Sequence, residues 1–276
     1  MYWEVINIKP YYKNELTTIY NGDCLEVMDY LIEQGIKVDC VITSPPYDDL
    51  RDYKGYSFDY KKTANKLYNI IQDDGIIVWV VGDKTNDGSE SGTSFKQALY
   101  FKEIGFKLYD TMIYEKNALP QNNNRYEQAF EYMFIFTKTK PKTFNAILEK
   151  TKHFGTNPSG KFRQKNGETL EQNSKKPVKE FKTKSNIWKF KTGFNKTTKD
   201  NFAFEHPAMF PEQLVLDHIT SWTNKNDLIL DIFNGSGTTT KIAQQLNRRS
   251  IGIELEQKYC DIGIKRLNSL QIKFDI

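Results

Sequence analysis

The sequence predicts an α/β fold: a mostly parallel sheet with helices on both faces and one basic, loop-rich segment inserted into it. Three observations lead there. Short β-branched or apolar runs alternate with amphipathic stretches along most of the chain, as in a sheet built through helical crossovers. Two strand-to-helix connections carry distinctive turn residues, Ser44-Pro45-Pro46-Tyr47 and Gly235-Ser236-Gly237. Between residues 141 and 201 the periodicity weakens while Lys, Asn, Thr and Gly accumulate.

In chain order, Leu16–Tyr20 reads as a strand and Leu25–Gln34 as a helix stopped at Gly35. Val38–Thr43 is the next strand, followed by helix Lys61–Gln72 and strand Gly75–Val81. Helix Ser94–Ile104 stops at Gly105, and Leu108–Tyr114 and Tyr132–Thr137 are strands. Beyond the basic segment, Pro211–Trp222 reads as a helix with proline in its first turn, where a missing N–H costs nothing. Leu228–Phe233, Thr238–Leu246, Ser250–Leu255 and Gln257–Leu270 complete the alternation as strand, helix, strand, helix. The expected organisation is a core from residues 1–140 and 202–276 and an inserted region from 141–201, anchored by Trp188, Phe190 and Phe194.

Composition narrows the function classes. Mean hydropathy is −0.64, and no stretch approaches the about 18 apolar residues of a membrane span. The N-terminal MYWEVINIKPYYK lacks a basic-then-apolar signal pattern, so a cytoplasmic protein is expected. Cys24, Cys40 and Cys260 are odd in number without CxxC spacing, which argues against a disulfide framework or a zinc site. His153, His206 and His218 are scattered, and no metal is expected. The net charge of +4 hides a division. Lys138–Asp200 holds 17 Lys+Arg against 5 Asp+Glu, so the rest of the chain is acidic. Such a local excess suggests a polyanion partner, although a solvated lysine-rich loop has the same composition.

Asp231 ends a strand, the turn through Gly235-Ser236-Gly237 opens a helix at about Thr238, and the following strand ends in Glu254. Small residues let the backbone approach a ligand, and an acid at that distance suits two ribose hydroxyls. Thr240 stands where a dinucleotide site wants its third glycine, and Thr240-Lys241-Ile242 fails as a phosphate loop. A nucleoside cofactor without pyrophosphate remains, with S-adenosylmethionine as the candidate; an ordinary strand-to-helix turn is the alternative. At Ser44-Pro45-Pro46-Tyr47 two prolines fix the backbone and remove two N–H donors. The Ser44 hydroxyl and Pro45 carbonyl then suit the two N–H groups of an exocyclic amine, with Tyr47 stacked on the base. Alone, those four residues read better as a proline-stiffened surface turn or a peptide-binding motif.

Taken together, the motifs resemble the beta-class DNA amino-methyltransferases. In that permuted arrangement the S/D-PP-Y box precedes the cofactor glycine turn, with the DNA-reading region between them; Ser44–Tyr47, the basic stretch and Asp231–Thr238 stand in that order. Asn21-Gly22-Asp23-Cys24 resembles the family's cofactor-adenine contact, His206-Pro207 with Phe210-Pro211 the segment before the last cofactor strand, and Asn186-Ile187-Trp188 an element near the end of the reading region. The resemblance implies a Rossmann-like class I methyltransferase sheet, with S-adenosylmethionine held by Asp23, Cys24, His206, Asp231, Phe233, Gly235, Ser236, Gly237, Thr238 and Glu254. It implies Ser44, Pro45, Pro46 and Tyr47 as the catalytic box, residues 141–201 as the target-recognition region, and double-stranded DNA as partner. The base flips out of the duplex to be methylated, and the loop Asp48–Tyr60 is expected to order over it. No cysteine follows a proline, which argues against ring-carbon methylation. Serine in the first box position implies cytosine N4 ahead of adenine N6. A restriction-modification setting with a cognate endonuclease, and a homodimer, follow by analogy. A catalytically silent DNA-binding protein fits the same residues. An endonuclease fits only a loose match of Asp231 with Glu256-Gln257-Lys258.

Overall fold

Residues Ile76–Val81 are buried without a break, as in a strand covered on both faces. They lie near the middle of the sheet in a computed structural model that describes residues 8–46, 58–118, 124–173, 176–193, 195–207 and 209–270. The first half contains β1 (Tyr12–Lys13), β2 (Thr17–Asn21), α1 (Cys24–Glu33), β3 (Val38–Thr43), α2 (Tyr60–Ile70) and β4 (Ile71–Val81). It continues with β5 (Thr85–Asn86), β6 (Ser89–Glu90), α3 (Thr93–Glu103), β7 (Lys107–Glu115) and β8 (Phe130–Thr137). Then come β9 (Leu148–Lys150), β10 (Ser159–Arg163), β11 (Thr169–Asn173), β12 (Phe181–Thr183) and β13 (Ile187–Lys189). A 3-10 turn (Asn201–Glu205), α4 (Glu212–Trp222), β14 (Leu228–Asp231), α5 (Thr238–Gln245), β15 (Arg249–Glu254) and α6 (Gln257–Asn268) complete the chain.

The main sheet has the order β1-β2-β15-β14-β3-β4-β8-β7-β13. Strands β2, β15, β14, β3 and β4 run parallel. Strand β8 is antiparallel to both β4 and β7. Helices α1, α2 and α3 pack in one group and α4, α5 and α6 in another, giving the helix-covered sheet that the alternation predicts. The core on the α1–α3 side is aromatic. Phe101 stacks on Phe136 at 4.5 Å, and the buried Trp79 donates its Nε1 to Gln97 Oε1 at 2.8 Å, so its one polar atom is satisfied. Helix α1 ends as its glycine predicts: Gly35 N donates to Ile32 O and Ile36 N to Leu31 O.

The inserted segment differs from expectation at its C-terminal side. Ile187–Lys189 adds to the main sheet as β13, parallel to β7 with Trp188 opposite Tyr114. Trp188 is buried against the His218 ring at 4.7 Å, so it anchors the core sheet. Phe194 lies outside the described residues. The compact second unit is therefore 146–185. By itself it consists of two antiparallel pairs, β9 with β12 and β10 with β11, and none of its described residues is buried. The residues flanking it are tied to the core. Asn145 donates through its N to Ser221 O at 2.8 Å and through Nδ2 to Thr220 O at 3.0 Å. Asn186 donates through Nδ2 to Asp110 Oδ1 and Thr111 O, both at 3.2 Å. Among the described residues, no helix is long and apolar enough to cross a membrane.

Candidate active site

Strands β3 and β14 are parallel neighbours, so the two distinctive turns leave the sheet side by side at its carboxyl edge. A hydrogen bond joins them: Thr43 Oγ1 donates to Asp231 Oδ1 at 2.8 Å. Asp231 also accepts from Thr239 Oγ1 at 2.6 Å and from Phe233 N at 3.1 Å. Three of roughly four acceptor sites on the carboxylate are thus filled, and the residue is 2% exposed. Burial pushes its pKa up to about 6, against the lowering effect of those hydrogen bonds. Asp231 fastens the strand leading to Ser44 onto the first turn of α5.

The glycine turn is shaped by two close approaches. Gly237 has φ +77, and a Cβ there would lie 2.8 Å from Gly263 Cα, so glycine lets α5 rest on α6. At Gly235, φ +49, a Cβ would lie 2.8 Å from His206 Nε2. Beneath the turn lies Arg266, fully buried. It donates to Ser236 O at 2.9 Å, Thr238 Oγ1 at 2.9 Å, Asp200 Oδ2 at 2.8 Å and Glu212 Oε1 at 2.7 Å. Lys241 Nζ reaches the same two carboxylate oxygens at 2.7 Å. Burial alone would raise the Asp200 and Glu212 pKa values, but hydrogen bonds from Lys241 and Arg266 to Asp200, and from Lys241 and Thr198 to Glu212 with the two positive charges beside it, hold both below normal. The sequence held a trace of this cluster: Cys260, Gly263 and Arg266 recur at helical spacing on the buried face of α6.

Glu254 ends β15, accepting from Gly235 N at 2.8 Å and Glu256 N at 2.9 Å. Burial raises its pKa. Asn21 Nδ2 and Gly22 N donate to Glu254 O, both at 3.0 Å. Asp23 caps α1, its Oδ1 accepting from Leu25 N at 2.7 Å, and Cys24 opens that helix, buried.

One cavity of about 920 Å³ joins these parts. Ser44, Pro45 and Pro46 line it, as do Asp23, Cys24 and Glu254. His206, Asp231, Phe233, Gly235, Ser236 and Thr238 complete the candidates that the structure brings together. Gly237 is not in the wall; it faces α6. Tyr47 lies outside the described residues, as does the loop Asp48–Tyr60 apart from its last three residues. Asn234, Tyr114, Lys116 and Glu131 also line the cavity, and sequence reasoning did not single them out. Asn234 is 4% exposed, and its Nδ2 has no partner among the described residues.

A mixed, mostly parallel α/β sheet with a proline turn and a glycine turn opening on one cavity at its carboxyl edge is the core of a Rossmann-like methyltransferase. The chain belongs to the DNA methylase family, the N6/N4 amino-methyltransferases, whose family model matches residues 38–265. It is similar to the orphan methyltransferase M.BamHII of Bacillus amyloliquefaciens, 50% identical over 236 residues covering 84% of this chain and 89% of that one. It is similar also to the Type II methyltransferase M.BglII of Bacillus subtilis, 27% identical over 270 residues, 93% and 70% of the two chains. Among solved structures it resembles the M1.HpyAVI–SAM complex, with TM-score 0.62 and 25% identity over 92% of this chain and 100% of that one. The PvuII DNA methyltransferase (cytosine-N4-specific) shares the fold, with TM-score 0.67 and 20% identity over 96% and 91% of the chains.

Proposed function

We propose that the protein moves a methyl group from S-adenosylmethionine to the exocyclic N4 of a cytosine flipped out of double-stranded DNA. The observation that carries this reading is the Thr43–Asp231 hydrogen bond, which holds the amine-binding turn and the glycine turn over one cavity. Family membership supports DNA and an exocyclic amine, and the solved M1.HpyAVI–SAM complex supports the cofactor.

The residues present fit that cofactor. A zwitterionic amino acid joined to a nucleoside needs donors for a carboxylate and acceptors for hydroxyl and amino groups. The unpartnered Asn234 Nδ2 beside the glycine turn is such a donor. Glu254 suits the ribose hydroxyls with the acceptor capacity left by its two backbone bonds, Asp23 suits the adenine, and Phe233–Ser236 and Thr238 with His206 enclose the methionyl part. When bound, S-adenosylmethionine supplies an electrophilic methyl group on a sulfonium. The chain's own task is positioning. The Ser44 hydroxyl and Pro45 carbonyl accept the two N–H groups of the amine, drawing its nitrogen from planar toward tetrahedral and freeing the lone pair. The prolines keep that carbonyl out of any ladder, and Tyr47 stacks on the base. The basic segment, with unit 146–185 at its centre, offsets the cost of flipping through phosphate contacts. A first-position serine favours cytosine, since a hydroxyl can donate to the neighbouring ring nitrogen as well as accept.

Nucleoside mass spectrometry of DNA methylated in vitro tests this directly, with N4-methylcytosine expected. Finding N6-methyladenine instead would reassign the base. Ser44→Ala is expected to cut kcat about 10-fold or more while cofactor affinity holds; full activity would remove the hydroxyl from the mechanism.

A further inference from the structure

The cavity continues past Ser44, away from Glu254. Along the carboxyl edge the strands run β15, β14, β3, β4, β8, β7. Because β8 is antiparallel to its neighbours, its first residues and the end of β7 lie on the same edge as Ser44. There Glu131 stands opposite Tyr114 in the ladder, and Lys116 Nζ lies 2.5 Å from Glu131 Oε1. Both side chains are more than two-thirds buried, at 28% and 16% exposure, and both line the cavity that Ser44-Pro45-Pro46 line. Taking an ion pair this far from water is costly, and the pair spans no gap between elements, since β7 and β8 are already laddered together. What the pair adds is a charged donor facing the cavity. Glu131 occupies one of the three N–H groups of Lys116, and the other two have no partner among the described residues.

Strand spacing sets the scale. With neighbours about 4.8 Å apart, β7, which leads into Lys116, lies roughly 14 Å from β3, but Lys116 reaches back to Glu131 on β8, roughly 10 Å from β3. A pyrimidine held by its amine at the Pro45 carbonyl presents its O2 roughly 4.5 Å beyond the amine, and two hydrogen bonds of about 2.9 Å bring the span to about 10 Å. The ammonium on this side thus matches the far edge of a base whose amine sits at Ser44. At that edge cytosine carries the carbonyl acceptor O2, whereas adenine has a C2–H in the corresponding place.

We propose that Lys116, aimed by Glu131, is a specificity-determining residue that donates to O2 of the flipped cytosine. The assignment rests on the methyl-transfer reading above. It is tested with full-length Lys116→Met, Lys116→Arg and Glu131→Gln on unmethylated genomic DNA. Four quantities are measured: kcat/KM for DNA, S-adenosylmethionine affinity by calorimetry, the salt dependence of DNA binding, and the melting temperature. Lys116→Met is expected to lower kcat/KM for DNA about 10- to 100-fold, with cofactor affinity unchanged within two-fold and the salt slope unchanged. Lys116→Arg, which keeps the charge, is expected to recover part of the loss, and the near-isosteric Glu131→Gln to lose less than Lys116→Met. Cofactor affinity falling in step would assign the pair to the cofactor and overturn the proposal. A salt slope smaller by about one would make Lys116 a phosphate contact and overturn it equally. So would an unchanged kcat/KM in a folded Lys116→Met. Wild-type protein that transfers no methyl to DNA would instead overturn the underlying reading, and this assignment with it.

Discussion

Asp231 keeps its proton to about pH 6, whereas the unfolded chain releases it near 3.8. Between those values the folded state binds more protons than the unfolded state, so this residue's contribution to stability is greatest below pH 4 and is lost as pH rises through 6. The size is about 3 kcal/mol. Asp200 and Glu212, whose pKa values are lowered, act in the opposite sense: their stabilisation is present at neutral pH and lost on acidification. Comparing urea unfolding of wild type and Asp231→Asn from pH 4 to 7 isolates the first effect. The difference between the two proteins is expected to move in the variant's favour by up to that amount as pH rises; a constant difference would mean that Asp231 does not titrate in this range. That Asp231 would stand in the cavity wall was readable from its place at a strand end before a glycine turn. Its partner Thr43 was not, because a contact between residues so distant in sequence needs β14 and β3 to be neighbours, and strand order has no local signature.

Among elements, α5 and α6 show what helical periodicity reveals and what it misses. Their extents follow from apolar spacing and agree with the structure to within two residues. The charged group between them was hidden, since Asp200 sits in a stretch that composition assigns to the insert, and a buried arginine breaks the apolar pattern that marks a core. Arg266→Met leaves Asp200 and Glu212 with only Lys241 for a cation and removes the support of Ser236 O. Breaking such a buried cluster from one side is expected to cost about 3–5 kcal/mol in chemical denaturation. A loss below 1 kcal/mol would show that the cluster is dispensable to the turn. Strand β13 escaped for a related reason: three residues, two of them exposed, within a lysine-rich run carry too little pattern to register.

At the scale of the molecule, the cavity belongs to one unit and the largest basic excess to the other. All cavity-lining residues belong to the larger unit, while unit 146–185 carries 10 Lys+Arg against 4 Asp+Glu and no buried described residue. Replacing 146–185 by a short Gly-Ser linker is therefore expected to leave cooperative unfolding and S-adenosylmethionine affinity within about three-fold of wild type. DNA affinity at low salt should fall at least about 10-fold, with a shallower salt dependence. Retained DNA affinity would place the polyanion contacts on the core. The asparagine clasps at 145 and 186 close the chain on either side of this unit against α4 and β7. Both clasps join residues of the larger unit to one another, so neither uses a side chain from 146–185. A segment joined in this way can be exchanged without touching any residue that lines the cavity.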